Sequence, residues 1–321
     1  MMRTVALVAV GIVLTAVAAG TSRGAEPAGK VEVVAPELKR LVPDGAVIEK
    51  LAGGFKFTEG PVWTREGYLL FSDIPNDAIV KWDPKTGLVS NYRKPSAGTN
   101  GNTLDSQGRL VSCEHAGRRV SRREKDGTVV TVADRYDGKR LNSPNDVVFK
   151  SDGALYFTDP PYGLAKQDED PAKEQTYNGV YRVKDGKVTL VASDLKRPNG
   201  LAFSPDEKTL YVANSDSDRK IWMAYPVKAD GTLGTGKVFF DVTSSKEPGL
   251  PDGMKVDSLG NLYCTAPGGI WIFSPAGKHL GTLKPTEVPA NCHWGDDGKT
   301  LYMTAQTGLY RVRLNVAGIR P

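Results

Sequence analysis

Cysteine and histidine are scarce in this chain of 321 residues. The three cysteines, Cys113, Cys264 and Cys292, lie far apart without paired metal-type spacing, so at most one disulfide can form. We expect them to be small, buried strand residues. The three histidines include no His-x-x-x-His pair, which argues against a zinc centre. Neither a disulfide framework nor a histidine-based metal site is therefore indicated.

Long hydrophobic runs are missing beyond the first residues of the chain. An apolar stretch over residues 5–19 follows the basic Arg3 and is too short to span a bilayer. This pattern is typical of a signal peptide, so we predict one over residues 1–25, with its cleavage site left open. The mature protein is then expected in the periplasm or outside the cell, with no membrane partner, as a monomer or weak dimer.

Motifs for nucleotide and serine-hydrolase chemistry are also absent. The chain has no Gly-x-x-x-x-Gly-Lys-Ser/Thr loop and no Gly-x-Ser-x-Gly elbow. The formal net charge is +5, but the positive residues are scattered, and their densest cluster, between Arg118 and Arg123, lies in a predicted hairpin. We expect no nucleic-acid partner.

Turn residues are abundant, with 35 Gly and 21 Pro, and they separate a repeated unit. The unit consists of a turn, a leucine and a short apolar strand, and its six copies are marked by Leu69, Leu110, Leu155, Leu210, Leu262 and Leu301. Their spacing brackets the roughly 40 residues of a four-stranded propeller blade. We predict an all-β fold over residues 45–321, a six-bladed β-propeller with four-stranded blades, preceded by an N-terminal extension over residues 26–44.

Two segments depart from the repeat. The last unit contains only three predicted strands, and a missing outer strand would leave a sheet edge open. We therefore predict that an N-terminal strand over residues 47–52 closes the ring. The polar residues 165–176 interrupt the third unit and are predicted to form a loop over one face of the ring.

The same register predicts a site. The residue ten positions before each marker leucine, or eleven in the fourth unit, has a carboxylate or carboxamide side chain in every copy: Glu59, Asn100, Asn145, Asn199, Asp252 and Asn291. Because each directly precedes an innermost strand, all six are expected around the mouth of the central tunnel. Turn propensity explains individual Asn and Asp residues but not a Glu among them. Oxygen ligands of this kind favour a hard cation such as calcium.

Five short motifs carry a family resemblance: Glu59-Gly-Pro, Ser143-Pro-Asn-Asp, Tyr156-Phe-Thr-Asp-Pro-Pro-Tyr-Gly, Arg197-Pro-Asn-Gly and Pro251-Asp-Gly. Together they resemble the gluconolactonase branch of the SMP-30/gluconolactonase/regucalcin-like family, from about residue 45 to the C terminus. The resemblance implies a six-bladed propeller that binds calcium or another divalent ion in its tunnel and hydrolyses lactones. It implies Glu59, Asn199 and Asp252 as metal ligands, and Asn145 as a fourth ligand or a substrate contact.

The expected reaction is metal-dependent hydrolysis of a sugar lactone, such as gluconolactone, to the aldonic acid. Calcium is the expected ion, with zinc, manganese or magnesium as alternatives. Asp252 is the first candidate for the base that activates water, and His115 is the second, because the ordinary pKa of histidine suits proton transfer near neutrality. The residues expected to contact the sugar are Asn100, Asn145, Asp146 and Asn291.

Two other functions stay open. One is a different metal-dependent hydrolysis, of an ester or a phosphotriester. The other is a non-catalytic propeller that binds a sugar or a protein partner, and metal-dependent turnover would separate it from an enzyme. Glu114, beside His115, could pair with Arg118 or Arg119 and is assigned no role in the site.

Overall fold

The structure, a computed structural model, describes residues 27–319, and the predicted signal peptide lies outside this range. The described chain is almost entirely β. Its helices are one short α-helix, α1 (Leu38–Leu41), and 3-10 turns at Ile74–Asn76 and Gln167–Glu169. None of them is long or apolar enough to cross a membrane. The all-β prediction is confirmed.

Two strands precede the first blade, β1 (Gly29–Val33) and β2 (Ile48–Gly53). The first blade contains β3 (Thr58–Trp63), β4 (Leu69–Asp73), β5 (Ala78–Trp82) and β6 (Val89–Arg93). The second blade contains β7 (Thr99–Leu104), β8 (Leu110–Glu114), β9 (Arg119–Arg123) and β10 (Val129–Ala133). A two-stranded hairpin follows, β11 (Arg135–Tyr136) and β12 (Lys139–Arg140).

The third blade contains β13 (Val147–Phe149), β14 (Leu155–Asp159), β15 (Gly179–Lys184) and β16 (Lys187–Ala192). The fourth blade contains β17 (Pro198–Phe203), β18 (Thr209–Asp216), β19 (Arg219–Pro226) and β20 (Lys237–Asp241). The fifth blade contains β21 (Met254–Val256), β22 (Leu262–Ala266), β23 (Gly269–Phe273) and β24 (His279–Pro285). The sixth contains β25 (Pro289–Gly295), β26 (Thr300–Ala305) and β27 (Gly308–Arg313).

The N-terminal segment closes the ring. Strand β2 pairs antiparallel with β27, from Ile48 opposite Val312 to Gly53 opposite Gly308, and so completes the sixth blade. The six-bladed propeller and its closing strand are thereby confirmed. The residues assigned to an extension also take part, since β1 pairs with β24 as a fifth strand of the fifth blade. The segment therefore spans two neighbouring blades.

Burial falls from the middle of each blade to its outer edge. Every residue of the second strands β4, β8, β14 and β22 is buried, because both faces of the sheet pack against neighbouring blades. The outer strand β6 is largely exposed. Two-sided burial explains why these strands begin with consecutive apolar residues rather than with an alternating pattern. Full burial of one such leucine contributes roughly 1.5–3 kcal/mol.

The three cysteines are free and buried. Cys113 packs in the apolar layer that includes Val147 and Phe157, Cys264 in a different layer with Trp222, and Cys292 in a third. Burial raises the pKa of all three thiols. They are packing residues, as expected from the sequence.

Candidate active site in the central tunnel

The six ring residues lie at one end of the inner strands. Each is within two residues of the start of an inner strand, and these six strands contact one another around the tunnel. Five of the side chains are almost fully buried, and Asp252 is partly exposed. The register counted from the marker leucines therefore brings the ring residues to the same end of the propeller.

A glycine follows four of the ring residues, because the next inner strand passes too close for a side chain. A Cβ on Gly60 would lie 2.1 Å from the carbonyl oxygen of Asn100, and one on Gly253 would lie 2.0 Å from Cγ of Asn291. Gly60 also has a φ of 50°, which disfavours other residues. The Glu-Gly, Asn-Gly and Asp-Gly pairs are a sequence signal that the ring count alone does not use.

Three carboxylates lie close together at this end of the tunnel. Two belong to the ring residues Glu59 and Asp252, and the third belongs to Asp146, which follows the ring residue Asn145. These three are here called the ring carboxylates. The amide nitrogen of Asn291 donates to Oε2 of Glu59 at 3.0 Å and lies 3.4 Å from Oδ2 of Asp146. The Gly60 amide donates to Glu59 at 2.7 Å and the Val147 amide to Asp146 at 2.8 Å. Among residues 27–319, no lysine or arginine nitrogen lies within 4.0 Å of these carboxylates.

Burial and mutual repulsion shift the pKa values of the ring carboxylates upward. Burial, and then the charge of Asp146, raises the pKa of Glu59 to about 7. Burial also raises the pKa of Asp146. The pKa of Asp252 is raised well above its ordinary value by burial and by the charges of Glu59 and Asp146. The cluster therefore does not hold three negative charges at neutral pH without a compensating positive charge.

Asn199 presents an unused acceptor. Its amide nitrogen donates to the Ser215 hydroxyl at 2.9 Å, whereas its buried Oδ1 has no hydrogen-bond partner. Leaving a buried carbonyl oxygen without a partner costs about 1–3 kcal/mol. A bound cation, or a hydrogen-bond donor of a substrate or water, would remove this cost.

His115 faces two of the predicted substrate contacts. Its Nε2 lies 3.4 Å from the amide nitrogen of Asn100 and 3.5 Å from that of Asn145. Two donors directed at Nε2 favour the neutral ring with its proton on Nδ1. Burial lowers the pKa of His115 to about 4, below the near-neutral value expected from the residue type. His115 is therefore an uncharged acceptor at neutral pH and a weaker base than the sequence suggested.

The loop within the third blade begins beside the ring, and its part over residues 165–176 contacts Arg118, Arg140 and Arg197. Ser143 fixes the first residues of this loop. Its hydroxyl donates to the carbonyl of Pro160 at 2.6 Å and accepts from the amide of Gly163 at 2.8 Å. Tyr162, on this loop, interacts with Asn199 and Ser215, and burial and the charge of Asp252 raise its pKa. Sequence reasoning missed Tyr162, although it is part of the quoted Pro-Pro-Tyr-Gly motif.

Comparison with known proteins defines the family of this chain. The profile of the SMP-30/Gluconolactonase/LRE-like region matches residues 57–307, which include all six ring residues. The chain belongs to the SMP-30/gluconolactonase/LRE-like family.

Several known proteins resemble the chain over most of its length. A gluconolactonase of Zymomonas mobilis is 39% identical, and the alignment covers 95% of this chain and 91% of the relative. The solved structure of a gluconolactonase from Xanthomonas campestris superposes with a TM-score of 0.81 at 34% identity, covering 91% of this chain and 99% of that one. A diisopropyl-fluorophosphatase of Loligo vulgaris is 26% identical over 77% of this chain and 84% of the relative.

The ring of this SMP-30/gluconolactonase/LRE-like chain fits a hard divalent cation. Among residues 27–319, no group of three or more His, Cys, Asp or Glu side chains is arranged to hold a metal, so a cation site here requires carboxamide oxygens. Asn199 supplies an unpartnered oxygen, and Glu59 and Asp252 supply charge. Mixed carboxylate and carboxamide donors without sulfur or imidazole are typical of calcium and magnesium sites.

The other end of the tunnel carries a cavity of ≈ 770 Å³. Its walls are the far ends of the inner strands and the turns that follow them, and none of the six ring residues lines it. The ring is nevertheless the candidate active site, because it holds the charged groups without counter-ions and the orphaned oxygen. Volume alone does not indicate where the chemistry takes place.

Proposed function

We propose that this protein hydrolyses a sugar lactone to the aldonic acid, using a divalent cation, calcium in the first place, bound by the ring. The observation that carries the proposal is the set of three buried carboxylates without a cationic partner beside the orphaned Oδ1 of Asn199. The activity is that of the gluconolactonase relatives, to which the chain is similar over more than nine-tenths of its length.

The proposed cation ligands are Glu59, Asn199 and Asp252, with Asn145 as a fourth ligand or a substrate contact beside them. Glu59 is oriented by the amide of Gly60 and by Asn291, and Asn199 by Ser215, so each side chain is held before any ligand binds. Such orientation by surrounding groups tunes and stabilises metal ligands. When bound, the divalent cation would polarise the lactone carbonyl and stabilise the negative oxygen that develops during hydrolysis.

The predicted substrate contacts, together with His115, bind and orient the sugar. Asn100, Asn145 and His115 form one side of the site, where carboxamides can exchange their contacts with the imidazole for contacts with sugar hydroxyls. Asn291 and Asp146 form the other side. The loop carrying Tyr162 covers part of this end and limits the access of bulk water.

Asp252 is the proposed base. It is the ring carboxylate with the most exposure, so water can reach it, and a carboxylate held ionised beside a cation can accept a proton from that water. His115, with a pKa of about 4, is the weaker candidate and acts in this proposal as a neutral hydrogen-bond acceptor.

The test is hydrolysis of glucono-1,5-lactone and a panel of aldonolactones, followed by proton release, with calcium, zinc, manganese or EDTA. Asp252→Asn should remove turnover, whereas the exposed carboxylate of Asp297, paired with Arg313, supplies the matched control Asp297→Asn. Turnover that stops with EDTA, returns with a cation and is lost only in Asp252→Asn supports the proposal. A wild type that matches the spontaneous rate with every cation contradicts it.

A second candidate, hydrolysis of a phosphotriester or of a related phosphorofluoridate, is favoured by the similarity to the diisopropyl-fluorophosphatase of Loligo vulgaris. The same ring would serve, because a phosphoryl oxygen and a lactone carbonyl oxygen are both polarised by a hard cation. Adding diisopropyl fluorophosphate to the substrate panel distinguishes the two, and the substrate with the higher kcat/KM identifies the function.

Export through the predicted signal peptide completes the proposal. It places the reaction in the periplasm or outside the cell, where calcium is available as the cation. Fractionation of cells that express the full-length chain, with N-terminal sequencing of the mature protein, tests the localisation and the cleavage site together.

A further inference from the structure

The cavity opposite the candidate active site combines an apolar wall with positive charge. Its apolar lining includes Val147 and Phe149 of β13, Phe203 at the end of β17 and Val256 at the end of β21. Lys255, at its wall, comes from strand β21, and Arg65 from the turn after β3. A volume of ≈ 770 Å³ lies within the range of small-molecule sites. We call this cavity the basal funnel.

Most charged side chains of the basal funnel are already paired. Arg109 bonds to Asp105 at 2.7 Å and to Glu124 at 2.8 Å, and Lys150 lies 3.1 Å from Glu207. Arg122, the next basic residue, pairs with Glu124 at 2.6 Å. The charges of these three cations are balanced by three carboxylates, and the remaining acid of the lining, Asp206, lies 3.9 Å from the exposed Lys208.

Arg65 and Lys255, unlike the other cations of the funnel, are bonded to backbone carbonyls rather than to carboxylates. Lys255 donates to the carbonyl of Met254 at 3.0 Å and Arg65 to the carbonyl of Ser106 at 3.0 Å. Within residues 27–319, neither has a carboxylate oxygen within 4.0 Å. An ammonium has three N–H groups and a guanidinium five, so both can donate further hydrogen bonds.

Lys255 also lies between the two ends of the tunnel. It follows Asp252 by three residues along the chain, and its side chain is half-buried. Burial raises the pKa of Asp146, and the charge of Lys255 opposes that shift. The ammonium is therefore close enough to the ring to act on its carboxylates, while the same residue lines the basal funnel.

We propose that the basal funnel binds a small organic monocarboxylate with an apolar body. The carboxylate pairs with Lys255, the apolar body contacts Phe149, Phe203 and Val256, and Arg65 attracts the anion at the rim. The apolar walls favour an organic acid over an inorganic anion such as phosphate, which would gain nothing from them. The site is separate from the ring and does not depend on a cation there.

The test uses 4-phenylbutyrate as the probe and its neutral amide, 4-phenylbutyramide, as the ligand control, in calorimetric titrations of the mature protein. A charge-assisted hydrogen bond contributes about 1.5–3 kcal/mol, so the acid should bind at least about tenfold more tightly than the amide. Lys255→Met should weaken binding of the acid about tenfold or more and leave the amide unchanged. Arg65→Gln, at an exposed position, should weaken it about threefold.

Two variants serve as controls. Lys299→Met removes an exposed cation from the turn between β25 and β26, which does not line the funnel, and Asp252→Asn alters the ring. Both should bind the probe like wild type. Equal affinity for acid and amide, no saturable binding to wild type, unchanged binding in Lys255→Met, or loss of binding in Asp252→Asn would each overturn the proposal. If Lys255→Met does not fold, Lys255→Arg, which keeps the charge, should retain binding while Arg65→Gln still weakens it.

Discussion

Buried carboxylates occur in two contrasting environments in this propeller. Glu114, at the end of β8, is fully buried and bonds to Arg93 at 2.8 Å, Arg119 at 2.6 Å and the Ser121 hydroxyl at 2.7 Å. The ring carboxylates lie in the first, third and fifth blades and, among residues 27–319, have no lysine or arginine nitrogen within 4.0 Å. The first arrangement neutralises a charge within the fold. The second leaves negative charge for a ligand to neutralise, which distinguishes a structural carboxylate from a functional one.

The largest effect is expected for activity, in Glu59→Gln and Asp252→Asn. Each variant removes a negative charge from the ring while keeping its size. Loss of a cation ligand or base at such a site should lower kcat/KM for glucono-1,5-lactone by about 10²–10⁴-fold. Glu114→Gln, measured at a temperature where it remains folded, should retain activity within about threefold. Equal losses in all three variants would break the distinction.

The free energy of unfolding should fall in Glu114→Gln and rise in Glu59→Gln, the reverse of the order expected for activity. Glu114→Gln leaves Arg93 and Arg119 without their carboxylate and should lower the free energy of unfolding by about 2–3 kcal/mol, below the range for fully buried pairs because both arginines are partly exposed. Glu59→Gln in EDTA should raise the free energy of unfolding at pH 8 and change it little at pH 5.

The sign follows from the raised pKa of Glu59, about 7 in the folded protein. A carboxyl group with a raised folded-state pKa favours folding while it is protonated, and this contribution is lost as the pH rises through that value. Urea unfolding at both pH values, with Asp297→Asn as the control, measures the difference. A stabilised Glu114→Gln, or a destabilised Glu59→Gln at pH 8, would contradict the comparison.

The sequence predicted the ring because a turn and a leucine recur at a fixed distance from it. Glu59 and Asp252 could be aligned in this way, and each lies where the count put it. Lys255 and Tyr162 could not, since Lys255 depends on which side of β21 faces the tunnel, and Tyr162 on the path of a loop without a repeat. The site roles assigned to the six ring residues, to Asp146 and to His115 stay predictions.

The pairing of β1 with the fifth blade could not be predicted from the sequence either. Gly29–Val33 is short and contains charged residues, so nothing in its composition distinguishes it from an extended linker. Its place is set by contacts that appear only in the assembled ring, where the adjacent α1 buries Leu38 and Leu41 against the fifth and sixth blades. The outer strand over residues 47–52 could be predicted because the repeat itself required one.

A moderate effect is expected in the pH dependence of cation binding. Because the ring carboxylates have raised pKa values, part of the population is protonated near neutrality, and a cation must displace those protons. Calcium affinity should therefore rise by about tenfold between pH 6 and pH 8, with proton release measurable by calorimetry in two buffers of different ionisation enthalpy. In Glu59→Gln both the release and the pH dependence should decrease. A calcium affinity that does not change with pH would show that the ring carboxylates are already ionised. Their charge would then be stabilised within the fold, as that of Glu114 is.

The smallest effect tests which partner neutralises Glu114. Arg119 is more exposed than Arg93, with side-chain exposures of 28% and 16%, so water compensates more of its loss. Arg119→Gln should lower the free energy of unfolding by about 0.5–1 kcal/mol, and Arg93→Gln by a somewhat larger amount. The double variant should cost more than the sum of the two, because only then is the buried carboxylate left with Ser121 alone. If urea unfolding shows almost no loss of stability even in the double variant, Glu114 does not depend on either arginine for its charge balance, and a buried carboxylate without cations is no mark of a binding site in this fold.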